Sequence, residues 1–237
     1  MAIYIGVGGK ARKVVGGYVG NMNGKAEIIY GGGDLPSGYV PYTYIYKNSY
    51  VAKITNYDSE SSTHPSYNTY TQILCDFYIP LWHSGYEYLF YLDSKYWARI
   101  GPASGYKFRL DIQKGSGSTF SISDLESGKS YSLNLTKDQD GSCYLNNDLL
   151  FKNLDPTITS DRIYILNTSS TPSNSYNYGV RLKGLTGYDL LNKKYLFDFK
   201  PCNKTTSGIV SGVYDTINKK FLDGGSSYST NFVCSNN

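Results

Sequence analysis

Short stretches in which apolar and polar residues alternate recur along most of this chain, separated by pairs of turn-forming residues. Ten of them read as strands, at 71–79, 86–93, 97–100, 107–112, 118–122, 130–136, 143–149, 162–167, 180–185 and 194–200. Ser104-Gly105, Ser127-Gly128 and Asp140-Gly141 mark turns between them. A side-chain period of two over short runs, with turns every 8 to 12 residues or so, is what an antiparallel sandwich or barrel requires. The 26 Tyr and 25 Gly favour strands and reversals over helices. The pattern predicts an all-β, two-sheet antiparallel jelly-roll sandwich.

The stretch 194–200 shows the alternation well. Tyr195, Phe197 and Phe199 fall on one face of an extended chain, and Lys194, Asp198 and Lys200 on the other. Pro201 is expected to stop the strand, because it has no N–H to give to a ladder. Gly208 and Gly212 allow reversals, and Val213-Tyr214-Asp215 with Asn218 and Phe221 reads as a closing hairpin.

This ending, Phe199-Lys200-Pro201-Cys202 through Gly212-Val213-Tyr214-Asp215 to Asn218-Lys219-Lys220-Phe221, resembles the last segment of concanavalin A-like (LamG-like) jelly-roll modules of tailed phages and gut-bacterial prophages. Leu35-Pro36-Ser37-Gly38-Tyr39, with Tyr44-Ile45, is similar to the phrase that opens such modules, and 71–77 resembles their first full core strand. The resemblance brackets residues 35–225, with 46–58 departing from the usual short polar phrase.

The N-terminus carries an internal repeat. Tyr4-Ile5-Gly6-Val7-Gly8-Gly9-Lys10-Ala11-Arg12 is echoed by Tyr18-Val19-Gly20-Asn21-Met22-Asn23-Gly24-Lys25-Ala26-Glu27. Each copy reads as a strand, a Gly-rich turn and a second strand, so the pair predicts two small hairpins, which bury little by themselves. Both copies resemble the Tyr-x-Gly-x-Asn-Gly-Lys-Ala-Arg units that begin many phage structural proteins. The expected division is a hairpin attachment module over 1–33 and a jelly roll over 34–237, joined by the glycines at 31–33. The resemblance implies that Tyr4, Lys10, Arg12, Tyr18 and Lys25 hold the chain to other virion proteins of the capsid, neck or baseplate.

The net charge of +4 is scattered, and its densest group, Lys10, Arg12, Lys13 and Lys25, fits the solvated sides of hairpins, so no nucleic-acid partner is expected. Cys75, Cys143, Cys202 and Cys234 are too far apart for a metal-binding pair, and with only His64 and His83 to join them no metal or other cofactor is expected. The cysteines read as buried thiols of a protein made in a reducing cytoplasm. The start lacks a basic segment followed by an apolar run, and no stretch reaches about 20 apolar residues, so neither export nor a membrane span is expected. The expected location is the virion, after synthesis in the host cytoplasm.

No strand carries the Glu-x-Asp-x-Glu run by which glucanases of this fold bring two carboxylates to one sugar. Glu87, Asp93, Asp124 and Glu126 are isolated, and His64 and His83 sit in polar loops without a nucleophile. Asp138-Gln139-Asp140-Gly141 departs from a calcium loop and reads as a hairpin turn. Aromatic faces offer more. Trp82 lies in a loop and Tyr176 and Tyr178 in a Ser/Asn-rich one, where rings can stack on sugars; Trp97, at a strand start, is expected in the core, with stacking as its alternative. Together these readings describe a non-enzymatic virion fibre or decoration protein, an oligomer with a trimer among the expected forms, that adheres to host or mucosal glycans. A glycan-processing enzyme relying on Glu87 and Glu126, or a prophage-encoded surface adhesin, are the alternatives.

Overall fold

In the computed structural model, the described residues are 4–7, 10–13, 17–20, 26–30, 35–47, 54–55, 71–81, 85–93, 96–113, 119–136, 141–153, 163–166, 180–206, 208–223 and 232–236. At the N-terminus β1 (Tyr4–Val7) pairs with β2 (Lys10–Lys13), and β3 (Gly17–Gly20) with β4 (Ala26–Tyr30), each as a two-stranded antiparallel sheet. Then come β5 (Tyr39–Pro41), β6 (Tyr44–Lys47), β7 (Ile54–Thr55), β8 (Thr71–Ile79), β9 (Glu87–Asp93), β10 (Tyr96–Pro102), β11 (Phe108–Gln113) and β12 (Thr119–Leu125). The chain continues with β13 (Lys129–Thr136), β14 (Ser142–Leu145), β15 (Asp148–Phe151), β16 (Tyr164–Ile165), β17 (Arg181–Asp189), β18 (Lys194–Lys204), β19 (Val210–Asp215), β20 (Lys220–Leu222) and β21 (Phe232–Ser235).

Strands β5 to β21 form an all-β jelly roll of two antiparallel sheets. One has six strands in the order β12-β11-β10-β9-β16-β7. The other has eleven, with β15-β14-β13-β8-β17-β18-β19-β20 as its main path and β5, β6 and β21 joined at its side. The chain visits the small sheet three times, for β7, for β9 to β12 and for β16, and returns each time to the large sheet. Between the sheets lie Ile73, Cys75, Phe77 and Ile79 of β8, Leu133 and Leu135 of β13, Leu182 and Leu185 of β17, and Phe199, facing Ala98, Ile100, Phe108, Leu110 and Ile112 of the small sheet. All fourteen are fully buried. Strand β8, with the burial alternating residue by residue, is the clearest product of the period-two pattern.

Several boundaries differ from the sequence reading, each for a local reason. Pro201 does not end β18, which continues to Lys204. Its carbonyl accepts the Tyr42 amide at 3.0 Å, so its nitrogen faces the seam between β17, whose last pair with β18 is Leu185 with Phe199, and β5, which begins at Pro41 with Cys202. The missing N–H forgoes only the reciprocal bond to the Tyr42 carbonyl, at the end of the β5 ladder, and leaves the ladder to β19 intact. The stretch 143–149 is two strands, because Asn146 and Asn147 both take positive φ, at 50° and 73°, and make a two-residue turn. Tyr195 does not share a face with Phe197 and Phe199: a register shift opposite Gly187 and Tyr188 turns Leu196 inward and leaves Tyr195 55% exposed.

Two hairpins are near-copies. Tyr188-Asp189-Leu190-Leu191-Asn192-Lys193-Lys194-Tyr195 and Tyr214-Asp215-Thr216-Ile217-Asn218-Lys219-Lys220-Phe221 close β17 on β18 and β19 on β20. In the first, the Asp189 carboxylate accepts the amides of Leu191 and Asn192 and the Asn192 side chain, at 2.8 to 3.0 Å. Asp215 repeats this with Ile217 and Asn218, and Lys193 and Lys219 take the left-handed turn with φ of 51° and 56°.

Candidate functional site

The outer face of the six-stranded sheet gathers rings and guanidinium groups. On β10, Ala98 and Ile100 point to the core, so Trp97 and Arg99 point away from it. On β9 the same face is reached by Tyr88 and Tyr91, three residues apart, because the register shifts by one between Tyr88 and Phe90 and leaves Leu89 and Phe90 both buried. Trp97 pairs with Tyr91, and Tyr91 with Tyr164 of β16, which sets one row across the sheet. In the next row Tyr88 pairs with Arg99, Arg99 with Asp111 and Asp111 with Ser121.

The rings meet edge to face. Trp97 lies 5.5 Å from Tyr88, Tyr88 6.0 Å from Tyr91, and Tyr91 6.3 Å from Tyr164, centre to centre. The guanidinium carbon of Arg99 stands 4.4 Å from the centre of Tyr86, 5.0 Å from Trp97 and 5.9 Å from Tyr88. Arg109 is 5.5 Å from the Tyr86 ring and donates to its hydroxyl at 2.6 Å. Tyr86 comes this close because Gly101 lies beneath it: a Cβ there would fall 2.1 Å from the ring.

Asp111 fixes the cations. Its side chain is 1% exposed, and its carboxylate accepts Arg99 Nε at 3.1 Å, Arg109 Nη2 at 3.2 Å and the Ser121 hydroxyl at 2.7 Å, with Arg109 Nε 2.7 Å away. The hydrogen bond to Asp111 holds the Arg109 guanidinium above its ordinary range. Two partly exposed cations share one buried carboxylate, so this cluster carries a net positive charge and its guanidinium groups are pre-oriented.

Trp97 is thus half-buried on the outer face and not in the core, since β10 enters the sheet with Ala98 inward. Trp82, Tyr176, Tyr178 and Lys25 lie outside the described residues, as do His64, His83, Asp138 and Asp140; of Tyr4, Lys10, Arg12 and Tyr18 only the backbone strands are described. The residues that accompany Trp97, namely Tyr88, Arg99, Arg109, Asp111 and Tyr164, were missed. Part of the signal was present: Arg109 and Asp111 sit two apart on the polar phase of 107–112, as Trp97 and Arg99 do on that of 97–100.

The carboxylates of the enzymatic alternative do not meet here. Glu87 is 1% exposed, accepts the Val180 amide at 3.0 Å and interacts with the buried Lys47. Glu126 follows β12 in the turn to β13, bonded to Lys129 at 2.6 Å.

No family model matches the chain, and no curated protein matches it in sequence. Among solved structures it is similar to the heptameric SAP-like pentraxin of Limulus polyphemus, at 13% identity and a TM-score of 0.38, over 60% of this chain and 77% of that one. It is similar to the receptor binding domain of botulinum neurotoxin type G at 14% identity and a TM-score of 0.40, over 70% of this chain and 45% of that one. Sheep galectin-11 matches at 10% identity and a TM-score of 0.34, over 53% of this chain and 94% of that one. Likenesses this distant carry no argument about function, and the fold assignment rests on the strand pairings of the chain itself.

Proposed function

We infer that this chain is a non-enzymatic saccharide-binding protein carried on a phage particle, where the sandwich is presented to host or mucosal glycans. The observation that carries the binding reading is the outer face of the six-stranded sheet, where Trp97, Tyr88, Tyr91 and Tyr164 lie beside guanidinium groups pinned by Asp111. Ring faces pack on the apolar faces of sugars, and oriented N–H donors bond their hydroxyls, so such a face holds a glycan without reacting with it. Among the described residues Asp111 of this face is committed to Arg99, Arg109 and Ser121, and Asp124, exposed on β12, is paired with Lys107, so neither carboxylate is free for acid–base work.

Carriage on a particle rests on the resemblance of the N-terminal repeat and of the closing segment to phage structural proteins. In this reading residues 1–33 hold other virion proteins, and the chain works as an oligomer.

Titration of the purified protein against a panel of oligosaccharides tests the binding. We expect at least one saccharide to bind and Trp97→Ala to weaken it about tenfold, the loss of one stacking contact. A wild-type protein that binds nothing on the panel, or a variant that binds as well as the wild type, overturns the reading. An antibody against residues 35–237, imaged on purified particles by electron microscopy, tests carriage; unlabelled particles refute it.

A further inference from the structure

The opposite outer face, that of the eleven-stranded sheet, carries a second convergence of rings and cations where β6, β17 and β8 run side by side. Ile45 pairs with Leu182 and both are buried, so Tyr44, Tyr46 and Arg181 on either side of them face outward. Arg181 pairs in turn with Tyr78 of β8. The Arg181 guanidinium carbon is 5.3 Å from the centre of the Tyr46 ring and 5.9 Å from Tyr44. The Lys183 ammonium lies 5.8 Å from Tyr44, and the Tyr44 and Tyr78 rings are 5.6 Å apart.

Lys183 reaches this face because of a bulge. Between Leu182 and Gly184, β17 carries one residue more than β8, so Leu182 and Leu185 both stay in the core while Lys183 is exposed on the side of Arg181. Such bulges re-aim a side chain at the cost of local pairing.

Among the described residues no ion pair cancels the charges here. The ion pairs among the described residues join Arg99 and Arg109 to Asp111, Lys107 to Asp124, Lys129 to Glu126 and Lys200 to Asp198, and none includes Arg181 or Lys183. The carboxylate nearest in register is the exposed Asp76, opposite Gly184, and it pairs with neither cation. A ring face attracts a cation without neutralising it. Burial and the neighbouring Tyr78 raise the Tyr44 phenol above its ordinary value while Arg181 and a hydrogen bond from Ser130 act the other way, so Tyr44 stays a neutral hydrogen-bonding group.

We propose that Tyr44, Tyr46, Tyr78, Arg181 and Lys183 form a second binding site, which takes the anionic group of an acidic saccharide at Arg181 and Lys183 with its sugar ring against the tyrosines. The guanidinium fork matches a carboxylate or a sulfate ester, and the flanking rings offer the sugar a surface that an inorganic anion would leave bare. This site is built from other strands than the Trp97 face and stands or falls apart from it.

The test is salt elution of the full chain from immobilised polygalacturonate, which displays carboxylates, and from immobilised heparin, which adds sulfate esters, with dextran as the neutral blank. We expect retention on at least one acidic matrix and none on dextran, and which matrix retains the protein identifies the anion. R181Q/K183Q, folded by circular dichroism, should bind that matrix about tenfold more weakly, as loss of charge-assisted bonds implies. K152Q/K194Q, which removes two exposed cations elsewhere, should shift less. No retention, equal shifts in the two double variants, or a single-stranded oligonucleotide that binds through Arg181 and Lys183 when saccharides do not, overturns the proposal.

Discussion

Tyr86 occupies the space that a side chain at Gly101 would fill, its Cε1 and Cδ1 lying 2.1 and 2.2 Å from where that Cβ would stand. The same ring receives the guanidinium groups of Arg99 and Arg109. Gly101→Ala must therefore push Tyr86 aside. We expect a loss of about 1 to 3 kcal/mol in denaturant unfolding, as for overpacked sites. In a Tyr86→Ala background the same change should cost much less; equal costs in both backgrounds would refute the relationship.

Asp111 is the anchor of two cations and a hydroxyl. Asp111→Ala leaves Arg99 and Arg109 facing each other without a counter-charge, and because both are partly solvated we expect a loss of about 2 kcal/mol, below that of a fully buried pair. Raised salt should recover part of it in the variant. A thermal midpoint unchanged from the wild type would show that the carboxylate does not organise the face.

Lys47 is 2% exposed, and burial lowers its ammonium from the ordinary 10.5 while Glu87 pulls the other way. Between the lowered value and 10.5 the unfolded chain binds more protons at this position than the folded one, so this group's contribution to stability rises with pH across that window. Measured by denaturant unfolding from about pH 8 upward, the wild type should gain on Lys47→Met as pH climbs. Parallel curves would refute the assignment.

The asparagine side chains of the two copied turns are held differently. Asn192 bonds Asp189, whereas Asn218 bonds both Asp215, at 2.6 Å, and the Leu196 carbonyl, at 2.9 Å. Asn218→Ala should cost about 1 kcal/mol more than Asn192→Ala, roughly the net worth of one hydrogen bond. Paired thermal melts decide the order, and the reverse order would contradict it.

All four cysteines are buried, and burial pushes their thiols up, Cys202 to about 12 and Cys234 to about 11. In native buffer an alkylating agent should label them at least about a hundredfold more slowly than in denaturant, since only the thiolate reacts. Fast labelling of any one of them would place it at the surface.

The sequence made the sandwich readable because β8 keeps strict alternation from Thr71 to Ile79 and because β10, β11 and β13 do so over shorter runs. Its failures lie where a single residue changes phase. A period-two reading carried past Leu89, Lys183 or Leu196 assigns the following side chains to the wrong face, and nothing local marks those bulges. Pro201 misled for a different reason: whether a missing N–H matters depends on which neighbouring strand it faces, and that neighbour, near Tyr42, lies far away in sequence. The functional face shares both difficulties. Trp97 and Arg99 were legible as strand residues, but their company with Tyr164 comes from a pairing between distant segments.

Among the described residues Gly101 is one of three strand glycines roofed by a ring; a Cβ at Gly187 would meet Phe197 at 2.3 Å, and one at Gly212 would meet Phe221 at 2.7 Å. Strand β8 sits at the middle of the large sheet, pairing with β13 on one side and β17 on the other. Its first neighbour is synthesised soon after it, but the pairing of Cys75 with Leu185 closes a loop of about a hundred residues. Until that loop closes, one backbone edge of β8 lacks its β17 partner. The order of assembly is therefore set by connectivity: the β9 to β12 and β13 to β15 meanders can form locally, while the central joint of the molecule waits for the last third of the chain and makes folding slow for a domain of this size.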